Sequence, residues 1–101
     1  MNAIKNSPAM LDVFGLIAVE RLRVRRLQAV GKYKFSTNSP TVSNGLKLAI
    51  VMEEIGEVAR EIYEMHDKDD FTPQAKNRLR KELVQAAGTL VAWLETPEVK
   101  P

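Results

Sequence analysis

The sequence has no cysteine, and its 101 residues include a single histidine, His66. The lack of cysteine excludes a disulfide framework, a thiolate nucleophile and a cysteine-based zinc or iron–sulfur site. One histidine also excludes a metal site built from several imidazoles. The candidate chemistry is therefore restricted to the other polar and charged side chains.

Long hydrophobic runs are missing as well. The longest apolar runs, such as residues 48–52, are far shorter than the roughly 20 residues that span a membrane, and no signal peptide pattern opens the chain. The lack of cysteine fits a reducing compartment, so we expect a cytoplasmic protein without a membrane partner. A composition of 45% apolar and 28% charged residues excludes the disordered and low-complexity classes.

Three segments of helical periodicity predict an all-α protein. The first covers residues 10–28, and the second begins at residue 43 or 44 and ends near residue 66. The third follows Thr72 and Pro73, a cap-and-proline pair typical of a helix start, and ends near residue 95. Almost no segment has the pattern of a strand.

We expect one domain that is completed by self-association. Its irregular parts are a loose N-terminus at 1–8, loops at 31–44 and 67–72, and a tail at 96–101, within a domain spanning 1–101. The predicted core face of the second helix consists of Leu48, Val51, Ile55, Val58, Ala59 and Ile62. Isolated bundles usually have four helices, so three helices with wide apolar faces predict a homodimer or homotetramer.

Acidic residues crowd the second helix. Five glutamates lie within twelve residues, with Arg60 as the only cation among them: Glu53, Glu54, Glu57, Glu61 and Glu64. Like charges one turn apart repel by about 0.2–0.5 kcal/mol per pair, and a hard divalent cation would reverse that cost. A solvated acidic face is the alternative. The third helix adds Glu82 at the edge of its apolar face, where the carboxylate needs a partner: Arg78, Lys81 or a shared metal.

The second and third helices carry two segments, KLAIVMEEIGEVAREI at 47–62 and LRKELVQAAGTLVAWLE at 79–95. Together they resemble the MazG-like all-α nucleoside triphosphate pyrophosphohydrolases, especially the short phage and bacterial forms. That family has Glu-x-x-Glu on one helix, preceded by another Glu, and Glu-x-x-Asp on the next. This chain has Glu53 before Glu54-Ile55-Gly56-Glu57, then Glu82-Leu83-Val84-Gln85, with Gln85 in place of the Asp. The resemblance covers most of residues 20–95.

The resemblance implies a Mg²⁺-dependent hydrolase, with Mn²⁺ as an alternative metal, that cleaves a nucleoside triphosphate into a monophosphate and pyrophosphate. Glu54, Glu57 and Glu82 are then the expected metal ligands, and Glu57 is also expected to be catalytic. Glu53 is expected to bind a further ion or to orient the attacking water as general base. Gln85 is expected to act through its amide oxygen, and the charge it lacks predicts weaker metal binding.

Basic segments flank the acidic helix. Residues 20–34 contain six basic and one acidic residue, residues 53–70 eight acidic and two basic, and residues 76–82 four basic and one acidic. This sorting is expected if cations link the carboxylates to a polyphosphate. The substrate-binding candidates are Lys32, Lys34, Lys47, Arg78 and Lys81 for the phosphates and Trp93 for the base.

Two other functions remain open. Gln85 is compatible with a catalytically weak MazG-like protein that binds nucleotides or serves as an assembly subunit. The arginines of residues 20–34 are compatible with a small basic nucleic-acid-binding protein. However, Arg23 and Arg25 lie about 200° apart on a helix, so they do not form one basic face, and we do not expect a nucleic-acid partner.

Overall fold

The computed structural model describes residues 8–32 and 37–99, and the regular secondary structure in these ranges consists of three α-helices. They are α1 (Pro8–Ala29), α2 (Asn44–Asp67) and α3 (Pro73–Leu94). The all-α prediction is confirmed, and each helix begins and ends within two residues of its predicted bounds. No helix in the described ranges is both long enough and apolar enough to cross a membrane.

Local sequence signals set the helix ends. The side chain of Ser43 accepts a hydrogen bond from the backbone N–H of Leu46 at 3.2 Å, and Thr72 caps α3 in the same way. These caps satisfy backbone donors that have no partner within the helix. At the end of α1, Gly31 adopts a φ of 76°, and Lys32 N–H donates to the carbonyl of Leu27. That pattern is a Schellman motif, which glycine closes without steric cost.

Helix α3 lies between the other two helices, because it packs against both α2 and α1. The loop after α2 is short, and Asp70 stabilises it by accepting hydrogen bonds from the backbone and the hydroxyl of Thr72. The connection after α1 is tied to α3 by Thr37, whose hydroxyl donates to the carbonyl of Thr89 at 2.7 Å. The α2–α3 hairpin therefore carries α1 on one of its two sides.

The predicted core face of α2 is wrong in part. Val51 and Val58 are buried, but Leu48, Ile55 and Ile62 are 52%, 44% and 43% exposed. The apolar arc of α2 is wider than α3 alone can cover, so part of it stays in solvent. The side of α2 that turns inward beside Val51 and Val58 is instead the glutamate side, where four of the predicted stripe are only partly exposed: Glu54, Glu57, Glu61 and Glu64.

The other two helices also leave apolar residues uncovered. On α3, Leu83, Leu90 and Leu94 are exposed, whereas Ala86 and Ala92 are buried. On α1 most large apolar side chains face solvent, and the one buried residue is Arg21. The apolar side chains buried in the described residues form a small core: Val42, Val51, Val58, Met65, Ala75, Ala86 and Ala92.

Candidate metal centre

Three glutamates meet between α2 and α3. Glu54, Glu57 and Glu82 each offer one carboxylate oxygen, and these three oxygens lie within 4.8 Å of one another. Glu54 and Glu57 are one helical turn apart on α2, and Glu82 reaches them from α3. All three side chains are partly buried. The helix packing therefore gathers three negatively charged groups at one point.

Two oxygens of this group have no partner. Oε2 of Glu54 and Oε2 of Glu82 are both buried, and neither accepts a hydrogen bond. A buried polar atom without a partner costs about 1–3 kcal/mol, and more when it is charged. A divalent cation would satisfy both oxygens, because Mg²⁺ and Mn²⁺ prefer carboxylate ligands. The donor set thus fits the metal that the sequence predicts.

Two of these carboxyl groups, Glu54 and Glu82, have raised pKa values. Burial raises the pKa of Glu54 to about 7, and the neighbouring charges of Glu57 and Glu82 act in the same direction. Burial and the adjacent Glu57 also raise the pKa of Glu82, against a smaller opposing effect of Lys81. Like charges held together out of water disfavour the ionised form. A bound cation would restore ionisation at neutral pH.

A cavity of about 290 Å³ opens beside these carboxylates. Glu54 and Glu57 line it from α2, and Gln85 and Gly88 line it from α3. The third side is α1, which contributes Glu20, Arg21 and Arg23. The cavity is therefore lined by all three helices, with acidic side chains from α1 and α2 and basic side chains from α1.

Glu20 is a site residue that the sequence analysis missed. Its charge helps to raise the pKa of Glu54, and its side chain is held by Arg23, whose guanidinium donates at 2.7 and 2.8 Å. Gly88 makes room for it, since a Cβ at that position would lie 3.3 Å from Cγ of Glu20. One feature of the sequence could have identified Glu20, because it is the only acidic residue within the basic segment 20–34.

The predicted metal ligands divide into two sets. Glu54, Glu57 and Glu82 come together, and Gln85 lies on the cavity wall one turn after Glu82. Glu53 is exposed and does not belong to the group of three, although its charge also raises the pKa of Glu54. The assignment of Glu53 as ligand or base stays a prediction.

The predicted substrate-binding residues that the structure describes lie away from the wall of this cavity. Lys32 is exposed, and Lys34 lies outside the described residues. Arg78 pairs with Glu61 and Asp70, and Lys81 lines a second cavity between α1 and α3. Trp93 donates its indole N–H to Asn44 at 3.2 Å.

Lys47 is the most unusual of these residues. It is 0% exposed, its Nζ makes no hydrogen bond, and the nearest carboxylate oxygen is Oε2 of Glu98 at 3.7 Å. It therefore lies beneath the C-terminal segment and not on the cavity wall. The cations that do reach the cavity, Arg21 and Arg23, were not among the predicted binding residues.

The arginines of α1 are largely engaged within the protein. Arg21 and Arg25 both pair with Glu95, and Arg23 pairs with Glu20. The nucleic-acid-binding alternative stays a prediction.

Comparison with protein families, with curated proteins and with solved structures found no match to this chain.

Proposed function

We propose that the chain is a Mg²⁺-dependent nucleoside triphosphate pyrophosphohydrolase that also accepts Mn²⁺ and releases a monophosphate and pyrophosphate. The observation that carries this proposal is the pair of buried, unpartnered carboxylate oxygens of Glu54 and Glu82, at a three-glutamate group whose Glu54 and Glu57 open on a cavity. The resemblance of residues 20–95 to the MazG-like enzymes supports the same reaction.

In this proposal Glu54, Glu57 and Glu82 would hold the cation beside the cavity. The cation, when bound, would supply Lewis-acid polarisation of a phosphate oxygen and of the attacking water. Gln85 lies close enough to the cavity to orient a phosphate or a water through its amide group. Arginine side chains at the α1 wall offset the charge of the departing pyrophosphate.

A pyrophosphate-release assay tests the reaction. The wild-type chain and the variant Glu57→Gln are compared over a panel of nucleoside triphosphates with Mg²⁺ or Mn²⁺. We expect Glu57→Gln to lower turnover by more than about 100-fold. Mutating a residue that only hydrogen-bonds a metal ligand already lowers activity by up to about 100-fold, and Glu57 is proposed as a ligand itself. Glu64→Gln is the matched control, because Glu64 lies on the same helix, is partly buried and is outside the group of three. Wild-type turnover no higher than that of Glu57→Gln on every substrate would show that the proposal is wrong.

The role of Glu53 requires its own comparison. If Glu53 orients the attacking water, Glu53→Gln lowers turnover but leaves stabilisation of the protein by Mg²⁺ unchanged. If it binds a further ion, the variant weakens both. Its exposed position favours the first result.

A nucleotide-binding or assembly protein with weak turnover is the second candidate, and Gln85 favours it. The amide has no charge at a position on the cavity wall where a carboxylate would add to metal binding. Gln85→Asp is expected to tighten Mg²⁺ binding. A large gain in turnover for Gln85→Asp over a nearly inactive wild-type chain would support this second function.

We also propose that the protein is a homodimer. On α2 the residues Leu48, Met52, Ile55, Ala59 and Ile62 repeat with alternating steps of four and three, the spacing of a helix–helix seam. This row is centred roughly 180° around α2 from Glu57, and so away from the cavity. Leu83, Leu90 and Leu94 form a similar row on α3.

A second copy is the occupant that fits these rows. Seven large apolar side chains on them are 43–58% exposed, and burying the rest of each would contribute about 1 kcal/mol apiece. The α2–α3 hairpin is half of a four-helix bundle, which the same hairpin of another copy completes about a twofold axis. A tetramer would additionally use the exposed apolar residues of α1, including Leu11, Phe14 and Leu22.

A further inference from the structure

Arg21 is a buried cation in the wall of the cavity. It is 6% exposed, although it lies on a helix whose other residues all remain at least partly exposed. Its Nε donates to Oε2 of Glu95 at 2.8 Å and its Nη2 donates to Oε1 at 3.1 Å. This two-point contact fixes the plane of the guanidinium group. Arg21 is therefore held rigidly where it lines the cavity.

The single negative charge of Glu95 does not balance the two positive charges of Arg21 and Arg25. Arg25 also donates to Oε1 of Glu95, at 2.6 Å, so two guanidinium groups share one carboxylate. The hydrogen bond from Arg21, with a smaller contribution from Arg25, lowers the pKa of Glu95, which stays ionised at neutral pH. One positive charge remains in excess at this cluster.

The α2 side of the cavity is acidic, and its α1 side carries Arg21 beside the ion pair of Glu20 and Arg23. Glu54 and Glu57 line it on the α2 side, next to Glu82, and Arg21 lines it on the α1 side. The contacts with Glu95 use Nε and Nη2 of Arg21, and within the described ranges no hydrogen bond engages Nη1. A guanidinium with an unused nitrogen suits an anion with several oxygens.

We infer that Arg21, positioned by Glu95, is the anion-binding group of this cavity and binds oxygens of a phosphate chain whose metal-bound end lies at the three glutamates. This inference rests on the proposed function, because it identifies how the same cavity would hold the polyphosphate part of a nucleotide. It assigns the phosphates to a residue of α1 and not to the exposed lysines.

Arg25 provides a matched control for the test. Arg21 and Arg25 lie on the same helix and pair with the same carboxylate, but only Arg21 lines the cavity, and the Arg25 side chain is 59% exposed. Replacing either residue with glutamine leaves Glu95 with one arginine. Both replacements remove one positive charge, so an effect of the net charge of the cluster alone predicts similar weakening of binding by both.

The experiment measures binding of tripolyphosphate, a probe without a base, by calorimetry in the presence of Mg²⁺. Arg21→Gln is expected to weaken binding by about 10-fold or more, which corresponds to about 1.4 kcal/mol, and Arg25→Gln by less than about threefold. Equal weakening by the two variants, or unchanged binding to Arg21→Gln, would overturn the inference. If Arg21→Gln does not fold, as judged by circular dichroism, Arg21→Lys is compared with Arg25→Lys. Equal weakening of tripolyphosphate binding by these two variants would again overturn the inference.

The assay separates this inference from the proposed reaction. Arg21-dependent binding of tripolyphosphate in a chain without pyrophosphate release would support the anion site and contradict the hydrolase. Pyrophosphate release with binding that does not depend on Arg21 would support the hydrolase and contradict the anion site. A wild-type chain that does not bind tripolyphosphate contradicts the anion site.

Discussion

Glu54 lies on the inner side of α2, where a helix of a small bundle normally has an apolar side chain. Its Oε2 atom is buried and unpartnered, and its pKa is raised to about 7. A carboxyl group with this pKa holds its proton more tightly in the folded than in the unfolded protein. Between about pH 4.5 and pH 7, the metal-free protein should therefore lose stability as the pH rises.

Glu54→Gln should remove the loss of stability that the metal-free protein shows as the pH rises. The amide keeps the size of the side chain without the charge, so we expect the metal-free variant to be more stable than the wild type at pH 8 and similar to it at pH 4.5. A gain of about 1 kcal/mol corresponds to about 4–8 °C in melting temperature for a domain of this size. Thermal unfolding in a chelator, followed by circular dichroism, measures the effect.

The same residue should control the response to metal. Mg²⁺ at pH 8 is expected to raise the melting temperature of the wild type, because it binds the folded state alone. Glu54→Gln should lose most of this increase, whereas Glu64→Gln should keep it. An equal response of all three proteins to Mg²⁺ would contradict a metal site at Glu54.

Glu95 has the opposite linkage to pH. Its pKa is lowered, chiefly by the hydrogen bond from Arg21, so its contribution to stability is present above its ordinary pKa of 4.5 and is lost as the pH falls below that value. Glu95→Gln should reduce stability at neutral pH by up to about 1 kcal/mol, the usual range for a solvent-screened pair. It should also flatten the acid side of the stability curve. Asp12→Asn, at an exposed position on α1, is the control and should change neither.

At the scale of elements, the approach of α1 to α3 depends on Gly88. A Cβ there would lie 3.3 Å from Cγ of Glu20, which is already held by Arg23. Gly88→Val should therefore separate the two helices and destabilise the protein by about 1–3 kcal/mol.

A Cβ at Gly56 on α2 would meet nothing within 4 Å, so Gly56→Ala should stabilise the protein by about 0.5–1 kcal/mol. Urea unfolding compares both, and a stabilised Gly88→Val would contradict the tight contact.

The bounds of the helices followed from the sequence, but their orientations did not. Ser43 and Thr72 are caps whose effect is local, so they could be identified from neighbouring residues alone. Which side of α2 turns inward depends on how much of a wide apolar arc one neighbouring helix covers. Ile55 and Val58 are both apolar and only one turn apart, yet Ile55 is exposed and Val58 is buried.

The candidate site shows the same division. Glu54 and Glu57 could be paired from their spacing on one helix, and motif resemblance added Glu82. Arg21 and Glu20 lie in the part of α1 where the resemblance is loose and gives no site residue, and they reach the cavity through packing of α1 on α3. Spacing along the chain contains no information about such a contact. The sequence therefore predicts phosphate contacts from lysines and from Arg78, whereas the cations that line the cavity lie on α1.

At the scale of the whole molecule, the two sides of α2 have opposite character. The inner side carries the partly buried glutamates that border the cavity, and the outer side carries a row of exposed apolar residues; α3 adds a row of exposed leucines. Burying the outer rows would add the apolar core that the single chain has little of. Small chains bury a smaller share of their surface on folding, so added apolar burial matters more to their stability. Stability and metal binding would then depend on opposite sides of α2.

The dimer can be tested by placing a charge in the exposed apolar row of α2 while leaving the glutamates of the same helix unchanged. Ile55→Glu places a charge in the outer row, and it should convert a particle of twice 11.4 kDa into one of 11.4 kDa in light scattering at about 1 µM. Leu46→Glu is the control, because Leu46 is equally exposed at 45% against 44% but lies on the opposite side of α2. A wild-type chain that is monomeric at this concentration, or a Leu46→Glu variant that dissociates as fully as Ile55→Glu, would contradict the interface. Because Ile55 lies about 160° around α2 from Glu57, a dissociated Ile55→Glu chain that remains helical should still be stabilised by Mg²⁺.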